Sequence, residues 1–316
     1  FAINQWEGLR GTWDVFRPLS LFLMMVNDVD TAPKVRFCLF FFIASTGIGV
    51  AWGLLDYFSG HALRLKIKSL GYPNHTATYL VMMLALLISL LLLMDWPLQA
   101  KVAIGFLAGA TLLALFLTYS RGGWMAFLAC LFFLSISLRR WKPILVAALL
   151  IMAILVGLEM TGRLWTRQIE MLAHLAQDEN ILERFRMWRG SILSLKERPL
   201  LGVGPRNFKY LDHERYGFKK TDHAHSLFFT VMAERGLLGL LSLMALFACY
   251  ACEGIKRQPS KDALSRALWH AAMGSFIAIV VAGMANTTLH SEGAIALWSI
   301  TALMLAAARL ERDPPS

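Results

Sequence analysis

The sequence predicts an all-α integral membrane protein, and three observations carry that reading. Of 316 residues, 57% are hydrophobic, with a mean hydropathy of +0.54, where soluble domains hold about 45–50% apolar residues. Apolar runs almost free of charge recur at lengths able to cross about 30 Å of hydrocarbon. Lysine and arginine gather in the connections on one side of those runs, as membrane insertion requires.

About eight crossings follow: 37–55, 76–94, 102–119, 122–138, 143–158, 236–252, 267–285 and 293–308. The first follows Pro33, Lys34 and Arg36; the second opens after Tyr72-Pro73-Asn74 and stops at Asp95-Trp96-Pro97. The third and fourth are separated only by Ser120 and Arg121. Several runs are near the lower length limit for a span, so their ends extend into flanking polar residues. Segment 18–26 is too short to cross and reads as the tail of a longer helix or as an interfacial helix. The chain opens on Phe1 with no signal peptide before the first span, which fits a piece of a longer protein.

Orientation follows from the basic residues. Lys34, Arg36, Lys101, Arg139, Arg140, Lys142, Lys256, Arg257, Lys261, Arg266, Arg309 and Arg312 fall on one side, against Arg64, Lys66, Lys68 and Arg121 in the short loops of the other. The richer side is the cytoplasmic one. Both chain ends are thereby expected in the cytoplasm, and the long connection 159–224 on the extracytoplasmic face. The expected organisation is a transmembrane region over 1–158, an outward loop with amphipathic helices over 159–224, and a second transmembrane region over 225–316.

The net charge of +10 would suggest nucleic acid in a soluble chain. Here the basic residues border spans and no recognition module accompanies them, so membrane lipid and phosphate are the expected partners, and nucleic acid is not. Cys38, Cys130, Cys249 and Cys252 all lie in apolar runs; the CxxC spacing of the last two lacks a second ligand pair and reads as packing.

In the long connection, Phe185, Trp188, Ile192 and Leu195 recur at helical spacing opposite Glu183, Arg186, Gly190, Ser194 and Glu197, predicting an amphipathic helix that ends before Pro199. A second helix is expected over 163–176, with Leu164, Met171, Leu172 and Leu175 facing the bilayer. Arg184 flanks the first apolar stripe, placed for a membrane-level cavity or for a headgroup. The run Pro199 to Phe208, with Gly202, Gly204 and Pro205, demands a tight fixed turn; it reads as a structural corner more readily than as a ligand loop, and no dinucleotide fold is implied.

Ser120-Arg121-Gly122-Gly123-Trp124 is more informative. A guanidinium between two spans needs phosphate, carboxylate or water, and two glycines leave room for substrate. In the first outward loop, Arg64, Lys66 and Lys68 precede Gly71-Tyr72-Pro73-Asn74-His75 and form a cluster able to attract a headgroup phosphate.

Asp222-His223-Ala224-His225-Ser226 sets a histidine pair at the mouth of a span. Histidine titrates near neutrality and can accept a hydroxyl proton, and placing it at a bilayer edge costs desolvation energy. A zinc site is the competing reading, but no second ligand pair or HExxH pattern completes it, so base catalysis is favoured and no metal is assigned. His61, His174, His213, His270 and His290 stand alone and read as packing or surface residues, His290 being closest to the outward side. Asp28-Val29-Asp30 resembles the carboxylate pair of nucleotide-sugar transferases, but falls on the cytoplasmic side.

In combined order, these motifs resemble the O-antigen ligase and polymerase superfamily of membrane enzymes. The resemblance rests on Tyr72-Pro73-Asn74 before a span, Ser120-Arg121-Gly122-Gly123-Trp124, Arg184 four residues before Trp188, Pro199 with Gly202-Val203-Gly204-Pro205, and His225-Ser226 ahead of Gly236 and Gly239.

What the resemblance implies is a GT-C-type glycosyltransferase of the bacterial inner membrane, with its active site facing the periplasm, working without cofactor or metal. The implied donor is an undecaprenyl-diphosphate-linked glycan and the implied acceptor is lipid A-core oligosaccharide. His225 then matches the essential histidine and Arg121 the membrane-boundary arginine, with Arg184 and Arg206 assisting on the diphosphate; Asp222, His223, Ser226 and Arg64 are supporting candidates. A diphosphate leaves readily, so such an enzyme mainly holds it and activates a hydroxyl. The ligase reading is preferred over an O-antigen polymerase or a protein O-oligosaccharyltransferase. A flippase or transporter of lipid-linked anions is the rival of another class, weakened by spans nearly devoid of charge.

Overall fold

A computed structural model describes residues 2–139, 179–257, 262–289 and 291–312. Among the described residues the long elements are all helical: α1 (Gln5–Asp28), α2 (Ala32–Phe58), α3 (Pro73–Leu93), α4 (Leu98–Leu117), α5 (Arg121–Leu138), α6 (Glu179–Glu197), α7 (Leu227–Lys256), α8 (Ala263–Ala285) and α9 (Ser291–Arg312). Among them, 7 are long and apolar enough to cross a membrane: α2 to α5 and α7 to α9. They coincide with seven of the eight expected runs. The run 143–158 and the helix expected over 163–176 lie outside the described residues.

The bundle is organised around α3. Its N1 position is Pro73, whose fixed φ suits a helix start, and the helix is apolar on every side. Leu80, Val81, Met82, Met83, Leu84, Ala85, Leu86 and Leu87 are all buried, because α4, α5, α8 and α9 surround it. Without a hydrophobic drive inside lipid, such contacts depend on small residues that let backbones approach. α8 supplies Ala267, Ala271, Ala272, Gly274, Ser275, Ala278 and Ala282, all buried. A side chain at Gly274 would stand 3.0 Å from Cys130 Sγ and 3.1 Å from Ala85 Cβ, and one at Gly123 only 2.6 Å from Ala77 Cβ. The outer helix α2 instead leaves Phe37, Phe40, Phe41, Ile48, Trp52 and Phe58 exposed, the surface a spanning helix turns to lipid.

His270 is a packing residue, as its sequence context suggests. Its Nδ1 lies 2.7 Å from the Arg266 carbonyl, which can only accept, so Nδ1 carries the proton and Nε2 accepts from the Ser137 hydroxyl at 3.0 Å. Cys130 is buried, while Cys249 and Cys252 are exposed on α7; none forms a disulfide.

Helix α1 corrects the expected placement of the chain ends. Asn4 accepts the Glu7 amide and caps the helix, while its own amide donates to Asn207 at 2.6 Å in the long connection. At the other end, the Arg309 guanidinium donates to the Val29 carbonyl at 3.1 Å. The start of α1 therefore lies at the end of the bundle that carries His225, and the end of α9 at the opposite one. Glu7, Arg10, Asp14 and Arg17 interrupt the apolar pattern of α1 and hide its passage from a hydropathy reading. Segment 18–26 is its membrane-level half, with Phe22 edge-on to Trp298 at 5.3 Å.

The His225 end is capped by a second, smaller core. Met187, Val203, Phe208, Leu211, Phe218, Ala224 and Ala233 cluster there, with Trp188, Tyr216 and Phe229 packed against them. The strap 199–204 is bonded to α7 where that helix breaks: Val203 and Gly204 donate to the Ala233 and Glu234 carbonyls at 3.0 and 2.8 Å, and Leu237 and Leu238 donate to Pro199 and Leu200 at 2.8 and 3.2 Å. Gly236 is the break, at φ 64 and ψ −161. A Cβ at Gly236 would fall 2.4 Å from the Leu200 carbonyl, and one at Gly202 2.4 Å from the Ala233 oxygen. The glycines of both motifs let two backbones meet. Glu234, buried below the strap, accepts the Phe208 amide at 3.2 Å.

Helix α6 forms over the expected residues, and its small-residue face is the one buried most deeply, with Trp188 of the apolar stripe half-buried beside it. Glu183, Met187, Gly190, Ser191 and Ser194 are buried, whereas Leu182, Phe185 and Ile192 are exposed. The small residues admit close packing, since a Cβ at Gly190 would meet the Phe218 ring at 2.5 Å. Glu183 is satisfied by the Lys219 amide and by Arg186 at 3.0 Å. The amphipathic pattern thus marks the helix correctly but leaves its face to be set by what packs against it.

Candidate functional site

The His223–Ser226 turn is held from both sides. The Ala224 amide donates to the Thr230 hydroxyl at 3.1 Å, and the Ala224 carbonyl accepts from the Trp188 indole at 3.0 Å. Trp188 stacks on Phe229 at 5.0 Å and 11°. So anchored, His225 takes a left-handed backbone, φ 48, a conformation that costs a branched-out residue roughly 1–2 kcal/mol. Such strain persists where surrounding structure enforces it, most often at functional sites. Its Nδ1 is buried with no hydrogen-bond partner among the described residues.

Arg184 comes to this histidine by helical spacing. It precedes Trp188 by four residues on α6, so the two share a face, and Trp188 is fastened to the residue next to His225. Burial lowers the His225 pKa below the ordinary value of 6.5, and the Arg184 charge lowers it further. Both effects penalise imidazolium.

Arg121 opens α5 behind the Ser120 N-cap, whose hydroxyl accepts the Gly123 amide at 3.2 Å. Next to it, Arg64 donates through Nε and Nη2 to the Thr118 and Tyr119 carbonyls at 3.0 and 2.9 Å, at the C-terminus of α4 where negative partial charge collects. Desolvation of the Arg64 guanidinium lowers its pKa, and the charge of Arg121 adds to that. Tyr119 between them is also left-handed, φ 52, with its hydroxyl 3.1 Å from that of Tyr57.

These elements meet at one end of the bundle. The starts of α3 and α5 touch through Ala77 and Gly123, Gly122 faces Ala285 at the end of α8 with 3.9 Å between the Cβ positions, and the Ser226 hydroxyl donates to the Gly283 carbonyl at 3.3 Å. His225, Arg184, Arg121, Arg64, His223 and Ser226 therefore all lie at the same end. Ser226 is buried and serves the α7–α8 junction. Asp222 is exposed and makes no hydrogen bond or ion pair among the described residues, so nothing there ties it to either histidine.

Arg206 stands apart from this group. Also left-handed at φ 58, it is paired to Asp14 at 3.0 Å and lies 3.7 Å from Glu7, against the outer turns of α1. Among the other histidines, His213 packs edge-on to Phe218 at 5.0 Å beneath the cap, and His61 is exposed 3.9 Å from Asp56. His174 and His290 lie outside the described residues. Asp30 pairs with Lys34 at 2.7 Å at the far end of the bundle.

One residue of the group was read only as part of the first outward loop, not as a neighbour of the histidine pair. His75, in the first turn of α3, sits with its ring 6.4 Å from His223, which is 4.6 Å from His225, and 5.5 Å from Tyr72. Nothing local marks it, because the two segments are remote in sequence; its proximity to Tyr72-Pro73-Asn74 was the only available signal. No group of three His, Cys, Asp or Glu arranged to hold a metal occurs among the described residues.

Residues 106–244 match the family model described as O-antigen ligase. That match supports placing the chain in the O-antigen ligase and polymerase superfamily. It takes in Arg121, Arg184, Arg206 and His225 and leaves Arg64 and His75 outside. No curated protein matches the chain.

Proposed function

We propose that this protein is an O-antigen ligase, transferring a glycan from an undecaprenyl-diphosphate carrier to lipid A-core oligosaccharide at the periplasmic face of the bacterial inner membrane. The observation that carries the reading is His225, strained into a left-handed turn by the Trp188–Ala224–Thr230 anchor with Arg184 beside it. The family match supports the ligase and polymerase class of activity; the donor and the acceptor are those the resemblance implies.

The acceptor hydroxyl gives its proton to neutral His225 as its oxygen bonds to the anomeric carbon of the donor sugar. The bond from that carbon to the diphosphate breaks, and its electron pair leaves with the phosphate oxygen. Direct displacement inverts the anomeric configuration. Burial and Arg184 keep imidazole unprotonated near pH 7, as a base needs. Arg121 and Arg64, two cations held side by side, bind the diphosphate dianion, with Arg184 completing the clamp; developing charge on the leaving group strengthens these contacts. Arg206 is left out of the clamp, since Asp14 and Glu7 engage it.

The test is transfer in vitro by protein reconstituted in lipid, with undecaprenyl-diphosphate glycan as donor and core oligosaccharide lipid as acceptor. Wild type yields capped acceptor of inverted linkage, with or without chelator, and His225→Ala and Arg121→Ala yield about a hundredth as much or less over the same time. Lengthening of the donor glycan in place of acceptor capping turns the assignment to a polymerase. Full activity of His225→Ala overturns the mechanism.

A further inference from the structure

Away from the His225 site, the outer turns of α1 and the Arg206 turn enclose an open pocket of about 430 Å³ lined by Trp6, Leu9, Arg10, Trp13, Asp14 and Arg206. We infer that this pocket is a saccharide-binding subsite, taking sugar rings of a glycan on the Trp6 and Trp13 indoles. The inference rests on the glycan-handling reading above and extends it to a part of the molecule that reading does not use.

Three features point to a sugar. Trp6 and Trp13 are 72% and 66% exposed, two turns apart on one face of α1, about 10 Å along the axis; flat aromatic faces at that separation suit successive rings presenting C–H faces. Between them, Asp14 and the guanidiniums of Arg10 and Arg206 offer acceptors and forked donors for ring hydroxyls. The wall is also built to hold its shape. Arg206 is kept in a left-handed turn, Pro205 packs where a Cβ on Gly11 would lie only 2.6 Å from it, and Asn207 bonds to the Asn4 amide at 2.6 Å and the Asn4 carbonyl at 3.2 Å.

Position separates the outer half of the pocket, at Trp6, from an ordinary aromatic belt at the membrane border. Arg17 lies 4.0 Å from Glu292 in the first turn of α9, which marks the level where the bundle ends. Trp6 stands a further ~16 Å along α1, past a headgroup layer about 5–8 Å deep on each side, whereas Trp13 is ~6 Å along and stands within the depth of that layer.

Binding is tested without catalysis, on the protein in lipid nanodiscs, by titrating lipid-free core oligosaccharide released from lipopolysaccharide. Wild type binds saturably; Trp6→Ala and Trp13→Ala each weaken binding about tenfold, the upper range for losing one aromatic face, and Trp13→Phe retains most of it. Both indoles are exposed, so the thermal midpoint should not move and loss of fold is detected separately. His225→Ala should bind oligosaccharide as wild type does, which separates this subsite from the transferase chemistry. The inference is overturned if wild type does not bind, if the double Trp6→Ala, Trp13→Ala variant binds as wild type does, or if brominated phospholipid quenches Trp6 and oligosaccharide does not protect it.

Discussion

Two turns of the cap invite comparison, the one at His225 and the one at Arg206. Each places a side chain-bearing residue in the left-handed region, φ 48 and φ 58, and each is pinned by hydrogen bonds from a remote segment. Their electrostatic company differs. Arg206 meets the carboxylates of Asp14 and Glu7, so its strain stabilises a wall between the strap and α1. His225 meets the cation Arg184 in a desolvated position, an arrangement that costs folding energy and gains something only when a proton or an anion is handled. Backbone strain alone does not separate the two turns; the charges beside each residue do.

The sharpest test of that contrast is activity. Replacing His225 with Ala should lower the transfer rate about 10²–10⁴-fold, the usual contribution of a general base, measured as kcat in the reconstituted assay with the fold checked by thermal melting. An effect below tenfold would put His225 on the same structural footing as Arg206.

The frame both turns share should be next in size. Gly202→Ala or Gly236→Ala forces a Cβ into a backbone 2.4 Å away at a positive φ, and should destabilise the cap by about 2–4 kcal/mol. The loss is read as a lower midpoint of thermal unfolding. A melting curve equal to wild type would show the strap to be peripheral.

Charge crowding at His225 predicts a pH signature. Arg184→Gln removes a cation that depresses the histidine pKa, so the acidic limb of the rate profile should move to higher pH while the basic limb stays. The same depression affects stability. His225 and His213 both titrate below 6.5 in the folded protein, so the unfolded chain binds more protons as pH falls through 6.5. Stability should then decline towards acid by at most about 1.4 kcal/mol per pH unit for each group, and His225→Gln should flatten that slope.

The smallest effect belongs to the other turn. Asp14→Asn breaks a partly exposed ion pair with Arg206 and should change stability by no more than about 1 kcal/mol. A much larger loss would mean that Arg206 depends on Asp14 for its strained backbone.

The amino-acid sequence by itself determined the helical membrane class and the described spans, because apolar length is a local property that bilayer physics reads directly. It also determined that Arg184 and Trp188 share a face, since helical period alone requires it. Only tertiary structure decided which face of α6 is buried, because a stripe of Gly190, Ser191 and Ser194 packs more closely than Phe185 and Ile192 can. Tertiary structure likewise carried the charged start of α1 to the His225 end, brought His75 beside His223, and drew Arg206 away to Asp14. Those outcomes depend on contacts between segments as much as 280 residues apart, and no local pattern encodes the partner a side chain will meet.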